Sequence, residues 1–348
     1  MFQRLKDLIF SPNLLSSAIC VLMAFGVTSI FMLIIKVNPL VAYIALFSGA
    51  FGSVRRLSEV LVRMCPLLLT GLAVAIPFKC GVINLGAEGQ LYFGAIIATI
   101  LGLTLINFPS AILIPIIIVV CFLIGAFWAF IPALLKTKLK INEVITTIML
   151  NYIPILLTDY LSMGPLKEKG GMLPETALIS DAARLPILIP GTRTHGGIII
   201  AIVCAALAYI FLWRTPLGYE IRVTGSSSEA AQSAGIDATK CILLSMVIGG
   251  GFAGLAGMGE ICGIQWRLKS GISPGFGFTG VIVALLGNLN PLAIVPASFF
   301  LSALFVGAGA MQRGTGVPVA IVYILQALVV IFVLAREIII EKMRLRQP

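Results

Sequence analysis

Charge is scarce in this chain. Of its 348 residues, 11% are Asp, Glu, Lys or Arg and 59% are hydrophobic, against roughly 25% charged in water-soluble domains. That leaves too few charges to cover a soluble surface, and the bilayer is the solvent that suits such a mixture. Histidine is scarcer still. His195 stands alone, which excludes an HExxH zinc site and argues against a Ser-His-Asp triad; in a polar loop it reads as an ordinary surface residue. A GxxxxGK[ST] phosphate loop is missing, so the chain is not expected to hydrolyse ATP by itself. No carboxylate pair has a spacing that suggests hydrolysis. The seven cysteines are odd in number and form no CxxC, so they read as small core residues rather than a disulfide frame. The net charge of +10 comes without a basic run interleaved with aromatics. Nucleic acid is therefore not an expected partner, and basic cytoplasmic loops explain the charge better. No linker or low-complexity stretch divides residues 1–348, which read as a single transmembrane domain. The charged start at Arg4 and Lys6 leads into an apolar run too long for a signal peptide, so that run is expected to stay as a helix.

Long apolar runs are what the chain has in abundance. A crossing needs about 20 apolar residues, and ten segments qualify: 14–35, 59–79, 90–106, 111–135, 143–162, 196–213, 241–261, 271–287, 291–310 and 317–335. The stretch 38–51 is too short and reads as a helix lying at the surface. Ten crossings place Arg4 and Lys6, the Lys136/Lys138/Lys140 cluster, the loop 214–240 and the basic tail through Arg346 together in the cytoplasm. The loop 163–195 then lies outside. Arg55, Arg56 and Arg63 also fall outside, a partial breach of the positive-inside rule.

Polar residues within apolar runs mark where function is to be sought. Glu143, Thr147 and Asn151 recur every four residues and so share one helix face. A lining for a polar solute and interhelical hydrogen bonding both account for Thr147 and Asn151; Glu143 also suits a helix N-terminus. The stretch Gly81–Gln90 breaks two apolar segments with three glycines, and Gly263, Gly271, Pro274, Gly275 and Gly277 make a corresponding break later. Paired Gly/Pro interruptions point to a transport path. This makes Asn84, Leu85, Glu88 and Gln90 candidate path or gate residues, with Asn84, Leu85 and Glu88 at a cytoplasmic constriction. Gly250, Ala253, Gly254 and Gly257 suit close helix approach. Glu260 and Trp266 follow, and both suit the outer interface.

The inner loop carries its own helix signal. Ser226-x-x-Glu229 reads as a capping box, alanines follow, and Gly235 supplies the stop. A helix of about two turns between transmembrane segments makes a rigid knob for a partner. Gly225, Ser226, Glu229, Ala230, Ala231, Ala234 and Gly235 are its candidate coupling residues.

The segment Gly225–Ile236 resembles the coupling-helix region of ATP-binding-cassette (ABC) importer permeases of the branched-chain amino acid, ribose and simple-sugar group. GVINLGAEGQ (81–90), NEVITTIMLNYI (142–153) and GFGFTGVIVALLGNLNP (275–291) resemble, in that order, the permeases of nucleoside importers. Ribose-type permeases carry an acidic residue and a serine where this chain has Asn84 and Gly86. The resemblance runs nearly end to end. It implies an all-α integral membrane fold of about ten helices, of the type II ABC importer, with inverted repeats. It also implies a second permease subunit, homologous or identical, and a cytoplasmic ABC ATPase that binds the ATP and magnesium. An external substrate-binding lipoprotein and a bacterial inner-membrane location with both termini inside complete the expectation. A simple-sugar permease is the runner-up; a passive channel and a membrane enzyme are remoter alternatives.

Overall fold

The computed structural model describes residues 12–318 and 320–345, so Arg4, Lys6 and Arg346 lie outside the described residues. Among those described there are thirteen α-helices and no strand. In chain order they are α1 (Pro12–Ile34), α2 (Pro39–Phe51), α3 (Val54–Lys79), α4 (Ala87–Thr104), α5 (Ser110–Leu139), α6 (Glu143–Met163), α7 (Gly197–Arg214), α8 (Pro216–Ser226), α9 (Ser228–Ser233), α10 (Ala238–Glu260), α11 (Phe276–Leu286), α12 (Pro291–Thr315) and α13 (Ala320–Leu345). A π-helical turn, Ile261–Gln265, extends α10. Seven helices are long and apolar enough to cross a membrane among the described residues: α3, α4, α5, α6, α7, α10 with its π turn, and α12.

Helix α6 shows most directly which solvent this chain expects. Its buried residues are Glu143, Thr147, Asn151, Pro154, Thr158 and Ser162, while Ile145, Met149, Ile153 and Leu156 are exposed. A soluble helix does the reverse. Polar groups turned in and aliphatic groups turned out put hydrocarbon around this helix. The shared face of Glu143, Thr147 and Asn151 is thus present, and it faces protein.

The chain divides into two compact units, residues 58–300 and residues 1–57 with 301–348. In the first, α3 is almost wholly buried and α10 packs on α4 and α5. The α10 contacts are backbone to backbone: a Cβ at Gly254 would collide with the Cys121 carbonyl, and one at Gly257 with the Leu91 carbonyl. The glycine-rich stretch is therefore a close-packing surface, as its small-residue spacing predicts. In the second unit the Tyr43 hydroxyl of α2 donates to the Phe25 carbonyl of α1 at 2.7 Å, and α13 packs on α1. Helix α2 is a thirteen-residue helix with one face, Ala42, Leu46, Gly49 and Ala50, buried.

One expected crossing is not a full helix. Within 271–287 only Phe276–Leu286 is helical, about 16 Å at 1.5 Å per residue, half of a hydrocarbon core. Gly271 at φ +66° and Gly275 at φ +92° adopt a backbone that an α-helix does not contain. Pro274, which lies between them, donates no N–H. Counting hydropathy registers none of this.

Candidate functional site

The two glycine-rich interruptions, far apart in sequence, meet in the unit 58–300. Helix α3 ends at Lys79, the chain turns at Gly81 (φ +78°), and α4 starts at Ala87. Helix α11 starts at Phe276 after Gly275 as its N-cap, and the Ser273 hydroxyl accepts from the Phe276 N–H at 2.9 Å. The Glu88 carboxylate, 3% exposed, accepts from the Gly277 N–H at 2.5 Å. Two helix N-termini thus converge on one carboxylate. Each end presents the equivalent of about +0.5 charge and unsatisfied N–H groups, and an anion between them stabilises both. A Cβ on Gly277 would collide with the Glu88 backbone. Irregular backbone of this kind, inside a bundle of membrane-length helices, is tolerated where protein buries it or where it lines a cavity.

Side-chain amides hold the first interruption. Asn84, fully buried, accepts from the Gly86 N–H at 3.0 Å and donates to the Ala73 carbonyl at 3.3 Å. It also exchanges hydrogen bonds with the Gln90 amide, both at 3.2 Å. Asn151 reaches across from α6, accepting from the Gly89 N–H and donating to the Leu85 carbonyl, each at 2.8 Å. Thr147 donates to the Glu143 carbonyl at 2.6 Å, and Glu143 pairs with Lys136 at 2.7 Å. Asn84, Glu88, Gln90, Thr147 and Asn151 are all brought together and buried, whereas Leu85 is half-buried. Asn151→Leu would leave the buried Gly89 N–H and the half-buried Leu85 carbonyl without these partners, the buried one costing about 1–3 kcal/mol. We expect a lower melting temperature in nanodiscs along with lower uptake. A leucine variant as stable as the parent would exclude this strut role.

The inner segment has a cap one residue later than expected. Ser227 is the N-cap of α9, its hydroxyl accepting from the Ala230 N–H at 3.2 Å. Ser226 is instead the last residue of α8, donating to the Arg222 carbonyl at 3.0 Å. The expected Ser226 cap is corrected on this point. An N-cap needs extended backbone, and Ser227 (φ −158°, ψ 114°) has it. Gly235 sits at φ +77°, the left-handed stop that was expected. Glu229, Ala230, Ala234 and Gly235 are exposed, and Ala231 is buried. Ser227→Ala should cost about 0.5–2 kcal/mol of local helix stability and Ser226→Ala much less. Amide hydrogen exchange across 228–235 will separate them, and equal protection in both variants would refute the reassignment.

Gly225 is the unforeseen connection. A Cβ on Gly81 would come 3.4 Å from its Cα, and a Cβ on Gly225 would collide with the Lys79 carbonyl. The end of α8 therefore lies directly on the backbone that begins the 80–86 turn. No local pattern in the sequence announces this contact.

At the other end of the unit, the loop 163–195 is tied down by backbone. Thr176, Ile179 and Leu185 donate to the Leu268, Trp266 and Cys262 carbonyls at 2.9–3.0 Å, and the Arg184 guanidinium lies 4.7 Å over the Trp266 ring. Two expectations fail here. His195 is not a surface residue: it is 2% exposed, with Nδ1 accepting from the Gly197 N–H at 3.1 Å. Glu260 is also buried, at 3% exposed, rather than interfacial. Burial, and secondarily the neighbouring Arg193, push the His195 imidazole down to about 4. The folded chain therefore holds His195 neutral, while the unfolded chain protonates it below about 6.5. Stability from this residue should be complete above pH 6.5 and fall as pH drops towards 4, by about 1–3 kcal/mol. Melting temperatures of parent and His195→Gln should converge across that window; parallel curves would contradict the assignment.

The family of branched-chain amino acid transport system permease components matches residues 56–334. The chain is 38% identical to the glucose ABC transporter permease of Haloferax volcanii, covering 91% of this chain and 86% of that one. It is 35% identical to the guanosine ABC transporter permease of Bacillus subtilis, covering 92% and 93%. To the nucleoside ABC transporter permease of Lactococcus lactis it is 34% identical, covering 92% and 90%. No solved structure matches.

Proposed function

The chain belongs to the permease-component family of branched-chain amino acid transport systems, and from that footing we propose that it is the pore-forming subunit of an ABC importer that carries nucleosides into the cell. The single observation that carries a transport path is the meeting of two interrupted segments at Glu88, where the N-terminal ends of membrane-length α4 and half-length α11 converge on a buried carboxylate. The nucleoside assignment is supported by near full-length likeness to guanosine and nucleoside permeases. A simple sugar is the second reading, favoured by the 38% identity to a glucose permease. Both solute classes are neutral and carry a hydroxylated ring.

In this proposal Asn84, Leu85, Glu88, Gln90, Thr147 and Asn151 form or support the gate, with half-buried Leu85 positioned to touch solute. The exposed face of α9 docks a separate cytoplasmic ATPase, which holds ATP and magnesium. Its closure moves α8, and Gly225 passes the motion to the 80–86 turn. A second permease subunit, an external binding lipoprotein and a bacterial inner membrane with both chain ends inside complete the assembly. The test is uptake by proteoliposomes containing the chain with its ATPase and binding protein. ATP-dependent accumulation of labelled guanosine, competed by other nucleosides and not by glucose, is the expected result. Glucose uptake alone would select the sugar reading. Uptake without ATP would sink both.

A further inference from the structure

The unit 58–300 contains a cavity of about 160 Å³ at the end carrying the loop 163–195, separate from the gate residues named above. Arg63 and Arg193 are exposed at its rim, with Arg193 3.8 Å from the Glu59 carboxylate. The buried Glu260 carboxylate lies inside it, with Gln265 beside it in the lining. Pro274 and Phe276 line its apolar side.

A charged group this deeply buried is costly unless other groups compensate it, so the chemistry that retains it is informative. Two arginines, two glutamates and Gln265 line the cavity, so hydrogen-bond donors and acceptors occur together in one small space. Donors from Arg63, Arg193 and Gln265 face acceptors from Glu59 and Glu260. The group that satisfies both kinds at once is the hydroxyl, which donates one hydrogen and accepts at two lone pairs. Phe276 and Pro274 offer an apolar wall to the C–H face of a ring. The volume is below the range of about 300–1,000 Å³ typical for drug-sized ligands, and it suits one small ring. Phe276 is also the first residue of α11, and the next residue, Gly277, bonds Glu88. The cavity ends where the helix junction begins.

We propose that this cavity is an outer subsite for the hydroxylated ring of the transported solute, the ribose of a nucleoside. The solute identity rests on the nucleoside reading above; the hydroxyl chemistry rests on the cavity. Ile264, in the cavity wall, is a suitable place for a reporter that leaves the polar groups intact. The experiment labels Ile264→Cys with a small neutral thiol reagent, in the permease–ATPase complex in nanodiscs, against the parent chain as background. Ribose or a ribonucleoside should slow labelling about fourfold at about three times its dissociation constant. The free nucleobase, the 2′,3′-dideoxynucleoside and inorganic phosphate should not. Glu260→Gln and, separately, Arg63→Gln should each abolish the protection in complexes that still co-purify with the ATPase. Protection by phosphate, equal protection by the nucleobase, no protection at all, or protection surviving both substitutions would overturn the subsite. Uptake measured on the same preparation keeps the two readings apart. Nucleoside uptake without ribose protection removes the subsite alone. Ribose protection without nucleoside uptake removes the nucleoside reading and leaves a sugar-ring subsite standing.

Discussion

Gly277→Ala should reduce transport at least to the level of a chain lacking Glu88 function, with roughly tenfold or greater loss of uptake. The added Cβ would overlap the Glu88 N–H nitrogen and Cα, with the Ala87 carbonyl carbon 2.7 Å away. These neighbours are backbone, which no rotamer change relieves, so the ends of α4 and α11 must separate. Separation stretches the 2.5 Å bond from the Gly277 N–H to the Glu88 carboxylate. A buried hydrogen bond to a charged group is worth about 1.5–3 kcal/mol, and a tenfold change in rate needs only about 1.4 kcal/mol. Gly275→Ala is the informative comparison. Its strain comes from φ +92° and no backbone lies within 4 Å of its Cβ, so the junction distance is preserved. We expect lower stability there but a smaller loss of uptake per inserted molecule. Uptake normalised to monodisperse protein decides the matter. Wild-type rates for Gly277→Ala would remove the junction from the mechanism.

Gly225→Ala should separate ATP hydrolysis from transport. The new methyl would overlap the Lys79 carbonyl oxygen and lie 3.0 Å from the Cys80 carbonyl carbon, prising α8 from the turn it touches. The α9 surface is unaltered by this change, so the ATPase should still co-purify. The expected result is near-normal hydrolysis by the complex with transported solute per ATP reduced about fivefold or more. Gly235→Val acts on the other side of the same element. Positive φ at a β-branched residue is a genuine outlier, and loss of the α9 stop should weaken ATPase association itself. Retained coupling in Gly225→Ala would mean that motion reaches the pore by another route.

How far these elements were legible depends on whether their signals are local. The buried face of α6 was readable because a four-residue recurrence of Glu143, Thr147 and Asn151 fixes one side of any helix. The Gly235 stop was readable because a glycine after an alanine-rich turn has few other uses. The cap was misplaced by one residue because Ser226, Ser227 and Ser228 are chemically alike, and backbone dihedrals choose among them. The half-length α11 was hidden because hydropathy averages cannot register two positive-φ glycines. His195 and Glu260 were misjudged for another reason. Polar sequence implies exposure only where the chain is not folded back on itself, and the 163–195 loop is. The contact of Gly225 with Lys79 joins distant segments and has no sequence signature.

The way that loop is fastened has an evolutionary consequence. Thr176, Ile179 and Leu185 grip 262–268 through main-chain N–H groups, and such bonds are indifferent to side-chain identity. Substitution can therefore alter the exposed surface of 163–195 without loosening these main-chain anchor points. A single scaffold can then present different surfaces by point changes there, while the ground beneath it stays fixed.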